Sequence, residues 1–214
     1  MSTDAAEDRA YINPVTYGIS YVICRPLFRL LFRLSRGGGE HVPRTGPVLF
    51  VSNHISGSDP PLLGAGALPR RLHFMAKKEL FSNPIGGRLI RSAGAFPVDR
   101  GGADRNAIRM AKDVLTRGDA LLMFPEGTRS EDGRLGPAWP GAGSLALDPA
   151  VKVIPMAIWG SQRRFGPVRI EVGPALDLSD LTEGSRAERA RQASERMMDA
   201  IAELLVKAGG PGRA

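Results

Sequence analysis

The stretch Pro47-Val48-Leu49-Phe50-Val51-Ser52-Asn53-His54-Ile55-Ser56-Gly57-Ser58-Asp59-Pro60 decides how the chain is read. Residues 47–52 are a short apolar run rich in β-branched and aromatic side chains, the pattern of a buried strand. Asn53, Gly57, Ser58 and Pro60 break that pattern, so the chain turns. Asp59-Pro60 has the form of a helix start, with Asp at the N-cap and Pro at the first helical position. His54 therefore falls at the carboxyl end of a strand and Asp59 at the mouth of the next helix. On one continuous helix their spacing would put them on different faces. Across a strand, a turn and a helix, the two side chains can fold back and meet. A carboxylate holding an imidazole fixes its tautomer and raises its basicity, which equips the ring to take a proton from a hydroxyl. A plainer account stands beside this one, with Asp59 only a helix cap and His54 only a polar residue at a strand end.

Outward from that stretch, the 214 residues allow one domain with a real core. The net charge of +7 points to an anionic partner: nucleic acid, a membrane surface or a phosphorylated substrate. Aromatic residues make up only 6% and do not interleave with basic ones, so no nucleic-acid platform is expected. The single cysteine, Cys24, excludes an internal disulfide and a cysteine-based zinc site. Asp4, Glu7 and Asp8 give the N-terminus the wrong charge for a signal peptide. No uncharged apolar run is long enough for a transmembrane helix.

Residues 15–36 stand apart. Arg25, Arg29, Arg33 and Arg36 recur at helical spacing, Leu and Phe fill much of the rest, and Pro26 kinks the helix or starts a second one. A basic, apolar-backed helix without acids reads as lying in a membrane interface; the alternative is an amphipathic helix packed on its own domain. Gly37-Gly38-Gly39 reads as a flexible joint, dividing an N-terminal amphipathic segment, 1–36, from a domain over 37–214. Beyond it, strands are predicted at 72–76, 95–98, 120–124, 151–158 and 168–172. Helices are predicted near 60–66, across 77–92, and at 103–116, 141–147 and 185–207. Ser185 and Glu188 form a capping box for the last of these. The alternation predicts an α/β single domain: a largely parallel central sheet flanked by helices, with the N-terminal helix associating with a membrane.

Ligands of such sheets gather at the carboxyl ends of the strands. Arg100, with Gly101 and Gly102, follows one strand; Glu126, Gly127, Thr128 and Arg129 follow another. The two arginines offer forked donors to a phosphate, the glycines let backbone N–H groups approach the same anion, and Thr128 adds a hydroxyl. Surface ion pairs are the plainer account of each arginine. Glu126 either holds one of these arginines or hydrogen-bonds a substrate hydroxyl. Pro155, inside a strand pattern, reads as an edge or bulge residue. No P-loop and no nucleophile elbow is present, and Gly141-Ala142-Gly143 follows Trp139-Pro140 rather than a strand, so it reads as a helix start. His41 and His73 lack carboxylates at a useful spacing, so no metal site is expected.

Taken together, Asn53-His54 with Asp59, Phe96-Pro97-Val98-Asp99-Arg100, Phe124-Pro125-Glu126-Gly127-Thr128-Arg129-Ser130 and Ile154-Pro155 resemble the glycerolipid acyltransferase family, and its bacterial 1-acyl-sn-glycerol-3-phosphate acyltransferases in particular. The segment Ala76-Lys77-Lys78-Glu79-Leu80-Phe81 is similar to one that links these motifs in the family. The resemblance implies transfer of a fatty acyl group from a thioester to the hydroxyl of lysophosphatidate, giving phosphatidate. It implies His54 as general base with Asp59 as its partner. It also implies Arg100, Gly127, Thr128, Arg129 and Lys77 on the phosphate, Glu126 positioning the acceptor, and Pro155 at the acyl pocket. Acyl-CoA or acyl-carrier protein would be co-substrate, with no bound cofactor and no metal. The setting implied is peripheral, on the cytoplasmic face of an anionic cell membrane. Family members often carry a bulky residue where this chain has Ser56-Gly57-Ser58, which leaves the acceptor open: another lysolipid or a glycolipid fits the same inventory. A non-catalytic basic membrane-binding protein is the alternative of a different class.

Overall fold

The strand Val48–Ser52 is buried at every position. That demands neighbours along both edges and cover on both faces. A computed structural model of the chain supplies both; it describes residues 10–66, 70–99, 104–163 and 165–212. The elements run α1 (Pro14–Leu31), β1 (Ser35–Gly37), β2 (Val48–Ser52), α2 (Asp59–Gly66), β3 (Leu72–Lys77), α3 (Pro84–Ser92), β4 (Ala95–Val98), α4 (Arg105–Thr116), β5 (Ala120–Met123), α5 (Pro140–Ala146), β6 (Lys152–Trp159), β7 (Arg169–Val172) and α6 (Arg186–Lys207). Together the strands form one sheet in the order β1-β7-β6-β2-β5-β3-β4. From β6 to β4 the strands are parallel, while β7 runs antiparallel to β6 and β1 runs alongside β7. The expected α/β architecture, a mostly parallel sheet flanked by helices, is therefore present. The carboxyl ends of β2 to β6 all open on one edge.

Alternation along β2 sorts the core. Leu49 and Val51 face Met110 and Val114 of α4, Leu145 of α5, and Met197 and Ile201 of α6. Val48 and Phe50 face the other way, toward Leu62 and Leu63 of α2, with Phe28 and Phe32 from the end of α1 packed beyond them. Phe50 has no solvent-exposed surface; cutting it to Ala would cost about 3–5 kcal/mol. The predicted capping box of α6 is formed: Ser185 accepts from the Glu188 N–H and Glu188 accepts from the Ser185 N–H. Gly143 of α5 has to be glycine, because a side chain there would collide with the Ala190 carbonyl of α6.

Three expectations are corrected. First, the joint at Gly37-Gly38-Gly39 is not a free hinge in the described chain: Gly37 ends β1, which pairs with β7, and Gly39 opens a 3-10 turn. Second, the helical arginine face does not extend to residue 36. The helix stops at Leu31, Arg33 takes a left-handed φ of 40°, and Arg36 lies in β1. Third, β6 is an interior strand, so Pro155 is no edge residue. It is tolerated because it sits where the β7 ladder stops: Gly173 donates to its carbonyl at 2.9 Å, and the missing N–H falls past the last register pair, Met156 with Val172. Of the two readings of Pro26, the second helix is not formed: α1 is a single helix that contains it.

The exposed side of α1 is largely apolar, with Arg29 the exposed basic residue near its end. Val15, Ile19, Val22, Ile23, Leu27 and Leu30 are all exposed, and they recur at helical spacing. On the inner face, Arg25 donates to the Tyr21 hydroxyl at 2.6 Å, and the Tyr17 hydroxyl accepts from the Leu72 N–H at 3.3 Å. Among the described residues no helix is long and apolar enough to cross a membrane.

Candidate active site

Where β2 ends, the ladder is continued by a side chain. Asn53 Nδ2 donates to the Ile158 carbonyl and Asn53 Oδ1 accepts from the Ile158 N–H, both at 2.9 Å. This ties the turn after β2 to the end of β6 and delivers His54 to the carboxyl edge. The backbone of His54 is gripped from the other side by the segment after β5. Its N–H donates to Glu126 Oε1 at 3.0 Å, and its carbonyl accepts from the Ser130 N–H at 2.8 Å. Its ring stacks on Phe124, centroids 4.0 Å apart and planes inclined by 15°.

Asp59 is fully buried and meets that ring: Nδ1 lies 2.8 Å from Oδ2. The same Oδ2 accepts from the Ile55 and Ser56 N–H groups, each at 2.7 Å, while Oδ1 accepts from the Ser161 hydroxyl at 2.5 Å. Asp59 is the first residue of α2, yet its carboxylate turns back onto the preceding loop instead of forward onto helix N–H groups. The cap account therefore fails. An ionised carboxylate can only accept, so Nδ1 carries the proton and Nε2 keeps its lone pair. Among the described residues Nε2 has no hydrogen-bond partner.

Glu126 is buried, and both its oxygens serve the backbone: Oε1 accepts from His54 and Oε2 from the Gly136 N–H at 2.9 Å. Burial raises its carboxyl above the ordinary glutamate range, with the N–H groups of Gly136 and His54 opposing that shift. Glu126 is thus a clamp beneath His54, and no ion pair joins it to Arg129. Gly127 follows with φ 68°, the left-handed region that favours glycine, and the Trp139 ring lies against it. Thr128 and Arg129 are exposed. The Arg129 guanidinium reaches Gly57, inside the turn between His54 and Asp59: a methyl group built on Gly57 would lie 3.8 Å from Nη1.

The structure brings together His54, Asp59, Glu126, Gly127, Thr128 and Arg129. Lys77 ends β3 on the same edge, half exposed and 3.2 Å from Glu79. With β5 between β3 and β2, it is about 10 Å across the sheet from β2. Arg100, Gly101 and Gly102 lie outside the described residues. Pro155 is not at the edge. It is buried in register with Val51, and its ring points toward Gly173 and Leu204, on the face that α6 covers. An apolar groove of about 120 Å³ instead lies between α1 and α2, lined by Tyr17, Tyr21, Phe28, Pro60, Pro61 and Phe74 among others. Reading the sequence also missed Phe124 as the surface under the imidazole, and Ser161. A small polar residue just after the apolar strand that ends at Trp159 was the available signal for Ser161, by the same logic that singled out His54.

The family model for the acyltransferases matches residues 33–159, more than half of the chain. The chain belongs to the acyltransferase family. This acyltransferase is 29% identical, over 194 residues, to the 1-acyl-sn-glycerol-3-phosphate acyltransferase of Bacillus subtilis (strain 168), an alignment spanning 86% of this chain and 96% of the relative. It is 41% identical over 133 residues to the lyso-ornithine lipid O-acyltransferase of Pseudomonas aeruginosa, covering 61% of this chain and 48% of the relative. The crystal structure of the 1-acyl-sn-glycerophosphate acyltransferase from Thermotoga maritima superposes with a TM-score of 0.71 at 26% identity, over 90% of this chain and 80% of that one.

Proposed function

We propose that this acyltransferase moves a fatty acyl group from an acyl thioester to the free hydroxyl of 1-acyl-sn-glycerol 3-phosphate, giving phosphatidate. The observation that carries the proposal is the buried Asp59 carboxylate 2.8 Å from Nδ1 of His54, at the carboxyl edge of the sheet, with the Arg129 guanidinium reaching Gly57 in the turn between them. Nε2 takes the proton as the acceptor's oxygen attacks the thioester carbonyl carbon. The tetrahedral intermediate then expels the thiolate, which recovers that proton from the imidazolium. The thioester is already activated, so no enzyme nucleophile is required. Arg129 and Arg100, with Gly127 and Thr128, hold the phosphate and so orient the hydroxyl; Lys77 adds charge from the same edge. Glu126 positions the acceptor indirectly, by fixing the backbone of His54 against which the acceptor docks.

The acyl chain enters the groove between α1 and α2, whose lining includes Pro60, the residue after Asp59. The segment 1–36 associates with an anionic membrane through the exposed apolar face of α1, leaving the enzyme peripheral on the cytoplasmic face with residues 37–214 as its catalytic domain. Acyl-CoA or acyl-carrier protein supplies the acyl group.

A second acceptor is favoured by one observation: a relative 41% identical over 133 residues, from Pseudomonas aeruginosa, is named a lyso-ornithine lipid O-acyltransferase. Purified protein given acyl-CoA or acyl-carrier protein, with lysophosphatidate or lyso-ornithine lipid, distinguishes the two by release of free thiol. Turnover with lysophosphatidate supports the proposal, turnover with only the ornithine lipid transfers it to the second acceptor, and no turnover with either rejects it.

A further inference from the structure

We propose that Ser161 is a positioning residue for acyl transfer, acting through Asp59; this rests on the reading of His54 and Asp59 given above. Asp59 binds the imidazole through Oδ2 alone, and the torsion that aims a carboxylate is broad and soft. Something must stop it swinging out of the ring plane. The Ile55 and Ser56 N–H groups converge on the oxygen already facing His54. On the opposite side Oδ1 has one partner among the described residues, the Ser161 hydroxyl. That hydroxyl is buried, and its donation fixes the second oxygen and hence the plane of the first.

The chain goes to some length to place it. After β6, Gly160 adopts φ +93°, where any side chain would collide with the Pro167 carbonyl, and this turn brings Ser161 back over α2. Its carbonyl in turn faces the Ser58 hydroxyl at 3.5 Å. Asn53 clasps Ile158, three residues earlier. The ends of β2 and β6 are therefore locked together at two places, and one of them is the carboxylate that orients the base. Ser161 lies just beyond the segment that matches the family model.

A serine that merely fills a buried site predicts altered stability. One that aims Asp59 predicts a change in turnover without a change in binding. Ser161→Ala should lower kcat about 10-fold, since small misplacements of a catalytic group have effects of that order or more. KM for the acyl thioester and for the lysolipid should stay as in the wild type. In an Asp59→Asn background the same substitution should lower the residual kcat no further, because the group it aims is gone. Unchanged kcat in Ser161→Ala, or an equal loss in both backgrounds, overturns the proposal. If the alanine variant fails to fold, Ser161→Cys, near in shape but a weak donor, carries the test: reduced kcat at unchanged KM supports it and wild-type kcat overturns it. A wild type that releases no thiol with any lysolipid overturns the acyl-transfer reading itself. An active wild type with an insensitive Ser161→Ala overturns only the role of Ser161.

Discussion

His54 and His73 are both buried, both face an aspartate, and lie near opposite ends of the same sheet. At the carboxyl end, Asp59 is fully buried, fixed by backbone N–H groups and Ser161, and 2.8 Å from the ring. Near the amino end, Asp119 is almost half exposed, 3.6 Å from His73 Nε2, and shared with Arg117 at 3.3 Å. Burial pushes His73 down to about 4, with Asp119 working against that shift and Arg117 with it. The pairing of residue types is the same; the difference is in what holds the acid. A carboxylate with every direction occupied aims a ring, whereas one divided between water and a guanidinium does not. The lesson is that a His–Asp contact becomes a candidate base only when the aspartate is itself immobilised.

The sharpest way to break this comparison is at the acid. Asp59→Asn keeps the volume and removes the charge and the tautomer control, and should lower kcat roughly 10²–10⁴-fold, measured as thiol release. Asp119→Asn should leave kcat within about 2-fold, as expected for a surface polar change. Next in size, Arg129→Ala should raise KM for the phosphorylated acceptor about 10-fold or more, the loss of one charge-assisted hydrogen bond, with KM for the acyl donor unchanged. Steady-state titration of each substrate checks it, and equal effects on both would remove Arg129 from the phosphate site.

The smallest effect on activity belongs to His73, whose consequence is for stability. Unfolded, it takes up a proton near pH 6.5; folded, only near 4. Between those values the unfolded state binds more protons, so stability falls as pH drops through that window and is fully present above it. The contribution is on the order of 3 kcal/mol. Thermal midpoints from pH 7 to 4 should fall more steeply for the wild type than for His73→Gln, and parallel curves would contradict the account.

Much of this was legible. The run 47–52, the turn and the Asp59-Pro60 start gave β2, α2 and the meeting of His54 with Asp59, because strand and helix periodicities are local signals. Strand β1 was not legible: Ser35, Arg36 and Gly37 carry no apolar pattern, and only pairing with β7 makes them a strand. Pro155 misled because its tolerance depends on where a neighbouring ladder stops, which no local rule encodes. The arginines at 33 and 36 kept helical spacing after the helix had ended. Ser161 left only its place after an apolar strand as a signal, because the partner that gives it a role is 102 residues away. That Glu126 accepts from the backbone N–H groups of His54 and Gly136 was not legible, since burial and those two donors are tertiary facts.

The most direct test sets the two histidines side by side. His54→Ala and His73→Ala, each shown to be folded by circular dichroism, are assayed with acyl thioester and lysophosphatidate for free thiol. The account predicts a loss of at least about 10²-fold in the first and activity within a few-fold of wild type in the second. Wild-type turnover in His54→Ala, or equal losses in both, would contradict it.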